Sequence, residues 1–180
     1  IYRWNFNKLS RNMESLMDFA WSQNTNLRQT FKKINLSQVL SEISSAALYM
    51  ALPKNIKVVS NVAENILVLG KEEKLYQAIY NIVDNAVKFT PKNGEIAIEL
   101  YKERDQAIIT IKDTGVGIDA EQQKSIFSRF YRTEQNKNIA GHGLGLAIAD
   151  SIIKAHGGLI NVKSEKGAGS VFTINLKTSS

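Results

Sequence analysis

Two glycine clusters hold the residues best suited to chemistry in this chain. They are Asp113-Thr114-Gly115-Val116-Gly117-Ile118 and Gly141-His142-Gly143-Leu144-Gly145-Leu146-Ala147-Ile148. Glycine lets backbone N–H groups turn toward phosphate oxygens and admits a ligand where a Cβ would block it. The second cluster runs directly into a helical pattern, and a helix start adds free N–H groups and the positive end of its dipole. The first is headed by a carboxylate. Either cluster alone is an ordinary turn; together they outline two ends of a nucleotide site. A third group lies upstream, in Lys71–Phe89, where Leu75, Ile79, Ile82, Ala86 and Phe89 form one apolar stripe. That stripe leaves Asn81, Asn85 and Lys88 together on the other side of a helix. Amide oxygens are hard ligands suited to Mg²⁺, and a lysine beside them meets phosphate charge. The same three residues also read as a plain solvated helix face.

The elements that must position these residues follow from periodicity. Phe6, Leu9, Met13, Leu16, Ala20, Gln23 and Leu27 recur in alternating three- and four-residue steps, a heptad seam on one long helix. The pattern weakens after Asn24, and a hinge or linker is expected near Lys32–Asn35. Leu36 to Met50 reads as a second amphipathic helix stopped by Pro53. Strands are expected at Lys57–Asn61, Ile66–Leu69, Glu95–Tyr101, Ala107–Lys112, Leu159–Ser164 and Ser170–Leu176. Helices are expected at Lys71–Phe89, near Ala120–Phe127 and at Leu144–His156. This alternation predicts a two-layer α/β sandwich: a mixed sheet with helices on one face, preceded by the long N-terminal helix.

Bulk properties narrow the class. With 180 residues, 43% of them hydrophobic, the chain has the material for one domain with a proper core and an appendage. The absence of cysteine excludes a disulfide framework and thiolate metal sites. No apolar run approaches the roughly 20 residues of a membrane span. The net charge is +6, and residues 1–33 hold Arg3, Lys8, Arg11, Arg28, Lys32 and Lys33 against Glu14 and Asp18. These bases are scattered and have no stacking platform, so nucleic acid is not expected as a partner. An opening Ile1 reads as the start of a fragment of something longer.

Placed in order, the motifs resemble those of bacterial sensor histidine kinases. Asn81-Ile82-Val83-Asp84-Asn85-Ala86-Val87-Lys88-Phe89-Thr90 is similar to their asparagine box, and Asp113–Ile118 to their first glycine box. Phe127-Ser128-Arg129-Phe130-Tyr131-Arg132 resembles the phenylalanine box, Gly141–Ile148 the second glycine box, and Gly167-Ala168-Gly169-Ser170-Val171-Phe172 the closing motif. The resemblance covers about residues 34–176 and implies the Bergerat-type ATP-binding fold, with ATP and Mg²⁺ as cofactors.

It also implies roles. Asp113 accepts a hydrogen bond from the adenine amino group, as a pure acceptor can, while Gly115 and Gly117 shape the pocket. Asn85 ligates Mg²⁺, Asn81 assists at the metal or the phosphates, and Lys88 contacts phosphate. Gly141, Gly143 and Gly145 bring N–H groups to the triphosphate as a lid closes. Ile118, Tyr131, His142, Leu144, Leu146 and Ser170 are placed with the nucleotide. Arg132 is a candidate for the γ-phosphate, with a solvated arginine as the alternative. Phe127 and Phe130 are expected to pack the lid base, and His156 to cap its helix.

ATP-hydrolysing relatives of this fold carry a glutamate base one turn before the metal asparagine. Here that position is Asn81, and an amide cannot take a proton at neutral pH. This favours transfer to a protein acceptor, with a hydrolase or a non-catalytic scaffold as the alternatives. No histidine precedes His142, so the acceptor histidine is expected outside this chain. Residues 1–33 read as the end of a dimerisation and phosphotransfer hairpin, and residues 34–180 as the catalytic domain. The implied partners are a response regulator and the protein's own acceptor helices in a homodimeric parent. The implied location is cytoplasmic, with any membrane anchor lying elsewhere in the parent.

Overall fold

The structure, a computed structural model, describes residues 30–131 and 143–179. The long helix expected over residues 1–33 lies outside them as far as residue 29, and so do Arg132, Gly141 and His142.

The chain runs β1 (Lys32–Asn35), α1 (Leu36–Ala51), a 3₁₀ turn (Leu52–Lys54), β2 (Lys57–Val62), β3 (Leu67–Gly70) and α2 (Glu72–Phe89). It continues β4 (Glu95–Glu103), β5 (Gln106–Asp113), α3 (Gly145–Ala155), β6 (Leu159–Glu165) and β7 (Gly169–Lys177). Five strands form one sheet in the order β2-β4-β5-β7-β6. β2 runs parallel to β4 and every other neighbour is antiparallel, which makes the sheet mixed. The two-layer expectation holds.

Alternation along the strands explains the layering. Ile96, Ile98 and Leu100 of β4 and Ile109 and Ile111 of β5 are buried in one core with Leu40 and Ile43 of α1, Ile79 and Ile82 of α2, and Ile152 of α3. The intervening residues face solvent, where Lys57 pairs with Glu95 at 3.1 Å and the Thr110 hydroxyl donates to Glu99 at 3.0 Å. A largely antiparallel sheet covered on one side reads this way.

Two expectations need correction. Lys32–Asn35 is not a linker but a strand, paired antiparallel with β3 from Lys32↔Gly70 to Asn35↔Leu67. Asn35 then caps α1, its side-chain oxygen accepting from the Gln38 N–H at 3.3 Å. The helix expected near Ala120–Phe127 is a chain of turns closed by Gln122 N–H to Asp119, Ser125 N–H to Gln122 and Ser128 N–H to Ser125. These are i→i+3 bonds without a continuous i→i+4 ladder, so no α-helix propagates. Pro53 ends α1 as expected, seated in the first turn of the 3₁₀ segment, where its missing N–H costs nothing.

Candidate functional site

α2 organises the site. Its buried stripe, Leu75, Ala78, Ile79, Ile82, Val83, Ala86 and Val87, clamps it to the sheet, so Asn81, Asp84, Asn85 and Lys88 remain half-buried on the other flank. The Asn81 amide donates to Gly145 O at 3.2 Å, tying α2 to the first residue of α3. That bond uses one amide proton and leaves the Asn81 oxygen as an acceptor or ligand. Lys88 is ion-paired with Asp84, one turn earlier on α2. Sequence reading missed Asp84, although a carboxylate four residues before a lysine on one helix face is a readable signal. The Asn85 side chain has no hydrogen-bond partner among the described residues, so its amide oxygen is open to a hard cation.

The second wall is the end of β5. Asp113 is 4% exposed, and its carboxylate accepts from the Gly115 N–H at 2.8 Å. Burial pushes the carboxyl above its ordinary range, and the N–H groups of Gly115 and Ser170 oppose that shift. A buried carboxylate with spare acceptor capacity selects a ligand that brings donors. The loop beyond it allows no larger residues at two places. A Cβ on Gly115 would lie 2.6 Å from the Asp113 carboxylate and 2.8 Å from Phe89 O. Gly117 has φ +69, and a Cβ there would lie 1.9 Å from Glu165 O. The Val116 N–H donates to Phe89 O at 3.3 Å, fastening this loop to the C-terminus of α2.

Ile118 and Ser170 belong to the support of that wall. The Ile118 N–H donates to Ser164 Oγ at 2.9 Å, and the Ser164 hydroxyl lies 2.9 Å from that of Ser170. Gln123 bridges the Ile118 and Ser164 carbonyls at 3.2 and 2.7 Å, an anchor that sequence reading did not name. Phe127 packs against the core. Phe130 does not: it is 64% exposed, at φ +60.

The third wall is the start of α3. Leu144 at its N-cap makes no side-chain cap, and the first helical bond runs from Ile148 N–H to Leu144 O at 2.9 Å. The N–H groups of Gly145, Leu146 and Ala147 therefore have no acceptor within the helix, which is the arrangement that binds anions. Leu144 is buried and Leu146 packs against the core, so both offer main chain rather than side chain to a ligand. Gly143 precedes them at φ +69.

His156 lies at the far end of α3, where it is structural. Its Nε2 accepts from the Lys71 N–H at 3.1 Å and its Nδ1 lies 2.7 Å from Ile152 O, which defines a neutral ring protonated on Nδ1. Phe31 stacks on it with centroids 4.6 Å apart. Burial lowers its pKa. Among the described residues no cluster of three or more His, Cys, Asp or Glu exists to cage a metal. No described helix is long and apolar enough to cross a membrane.

Comparison with known proteins agrees with this geometry. Residues 70–180 match the family of histidine kinase-, DNA gyrase B- and HSP90-like ATPases. The sensor histidine kinase RppB of Synechocystis is 33% identical over 94% of this chain and 38% of its own length. The heme sensor protein HssS of Staphylococcus saprophyticus is 38% identical over 80% of this chain and 31% of its own. The chain thus spans about a third of the length of these curated relatives. Among solved structures, the catalytic domain of histidine kinase ThkA superposes with a TM-score of 0.71 and 27% identity, covering 82% of this chain and 95% of that one.

Proposed function

Because the chain belongs to the family of histidine kinase-, DNA gyrase B- and HSP90-like ATPases, we propose that it is the ATP-binding catalytic domain of a sensor histidine kinase. One observation carries the reading: α2 holds the other two walls together. Its Asn81 bonds the uncapped start of α3, and its Phe89 carbonyl bonds the loop after the buried Asp113. A base-sized acceptor site and an anion site thereby share one rigid helix.

In this reading Asp113 accepts from the adenine amino group, a donor that guanine lacks at that position. The free N–H groups at the start of α3, with the glycines before it, receive the phosphates. Lys88 is drawn from Asp84 toward phosphate charge, and the open amide oxygen of Asn85 ligates Mg²⁺. A magnesium ion held by one or two side chains and by phosphate oxygens fits a site without a carboxylate cage. When bound, it neutralises triphosphate charge and orients the terminal phosphoryl group. That group passes in line to an imidazole nitrogen, forming a P–N bond as the bond to the ADP oxygen breaks. Asn81 cannot serve as a base for water, and its amide is already engaged with Gly145. The acceptor would be a histidine on the protein's own dimerisation helices, and a response-regulator aspartate would receive the phosphoryl group next. The residues before β1 would be the end of the dimerisation hairpin, and the chain from Lys32 onward the catalytic domain, because Lys32 and Lys33 pair with β3.

Calorimetry tests the nucleotide half. The protein should bind MgATP in clear preference to MgGTP, and Asp113→Asn should weaken ATP about ten- to a hundredfold. An unchanged ATP affinity and preference would remove Asp113 from the site. Labelled γ-phosphate should reach an acid-labile phosphohistidine only when the parent's helical hairpin is supplied. Brisk hydrolysis without it would return the chain to the hydrolases.

A further inference from the structure

The last four carbonyls of a helix have no partner in its regular ladder, and in α2 three residues satisfy all four of them. Ala86 O receives the Thr90 N–H at 3.0 Å and the Thr90 hydroxyl at 2.7 Å. Phe89 O receives the Val116 N–H at 3.3 Å. Val87 O and Lys88 O are both taken by the ammonium of Lys54, at 2.8 and 2.7 Å, and Thr90 O accepts from it at 3.0 Å. An ammonium has three donors, and Lys54 directs all of them at one turn of main chain. Lys54 is itself held in place: its carbonyl accepts from the Asn93 N–H at 3.0 Å, and the neighbouring Asn55 amide donates to the Asn93 side chain at 2.8 Å. A cation at this end also complements the helix dipole.

We infer that Lys54 is a positioning residue of the nucleotide site, setting the C-terminal turn of α2 and, through it, both Lys88 and the loop after Asp113. The inference rests on the ATP reading above. The turn it grips carries Lys88, begins two residues after Asn85 and presents Phe89 O to Val116. There is little slack at that joint, because a Cβ on Gly115 would already strike the Phe89 carbonyl. A shift of this turn moves the phosphate-side cation and the adenine-side loop together, and small misplacements in such a site are costly.

Lys54→Met keeps the aliphatic stem and removes the donors; Lys54→Arg keeps charge and donors. MgATP binding is measured by calorimetry well below each variant's Tm, together with amide exchange at Val116. Lys54→Met should bind MgATP roughly tenfold more weakly, with faster exchange at Val116, and Lys54→Arg should recover most of both. A lysine with a merely structural role would lower Tm yet leave the affinity of the folded protein and the Val116 exchange unchanged, and that result overturns the inference. If Lys54→Met does not fold, Lys54→Gln, which retains two donors, is read the same way. Absence of MgATP binding by the unaltered protein would instead sink the ATP reading; Val116 exchange would still decide whether Lys54 holds the turn.

Discussion

Asp113 shows how one residue's surroundings create a test of function. Its carboxyl is buried, and burial holds its pKa above the ordinary value of 3.8. The folded protein therefore keeps this proton at a pH where the unfolded chain has lost it. The sign for stability follows: the contribution is present below 3.8 and is lost as pH rises through the raised value. In the proposed site the ionised form would accept from adenine, so ligand recognition would run the opposite way. The ratio of ATP to GTP affinity should shrink as pH falls from 7 toward about 5, a range in which the phosphates titrate alike in both nucleotides and adenine stays unprotonated. Asp113→Asn should give a low ratio that pH does not change. A wild-type ratio constant across this range would mean that no titrating carboxylate reads the base.

Elements add what single residues lack, and the glycines separate the two contributions. Gly117 is required by its element: positive φ combines with a Cβ contact of 1.9 Å to the main chain of β6. Gly117→Ala should destabilise the fold by about 2 kcal/mol or more. Gly145 stands in a motif of the same appearance, yet a Cβ there would meet only the Asn81 side chain at 3.7 Å, an ordinary contact. Gly145→Ala should change stability by less than about 1 kcal/mol. Urea melts of the two variants distinguish these outcomes, and equal losses would contradict the placement of α3 against Asn81. Identical letters in two glycine boxes thus meet different surroundings: main chain that forbids a Cβ at Gly117, and room for one at Gly145.

At the scale of the whole molecule, His156 ties together segments distant in sequence. It joins the end of α3 to the start of α2 through the Lys71 N–H and stacks under Phe31, where the chain enters β1. Its folded-state pKa is depressed below 6.5, so the stability it contributes is present above 6.5 and is lost as pH falls toward the folded value. Protonation of Nε2 would also turn an acceptor facing the Lys71 N–H into a second donor. Denaturant melts between pH 7.5 and about 5 should show wild-type stability declining through this window. His156→Gln, which cannot be protonated, should flatten the decline. Equal slopes for the two proteins would assign the acid sensitivity to other groups.

Local pattern determined a good deal. Apolar spacing placed α1, α2, α3 and six strands, because burial of one face demands a fixed period whatever the partner. Motif order marked Asp113, Asn81, Asn85 and the glycines as candidates, and in the structure Asp113 ends β5 while Asn81 and Asn85 share one flank of α2. Tertiary structure decided the rest. Lys32–Asn35, half lysine, is a strand only because β3 lies beside it. The 119–128 segment remains a series of turns, with Gln123 bonded across to Ser164. Lys54 takes its carbonyl partners 33 to 36 residues away, and main-chain carbonyls leave no mark in a sequence. A residue's type and period declare which face it needs to bury, but the partner of a hydrogen bond is declared only when folding brings that partner within reach.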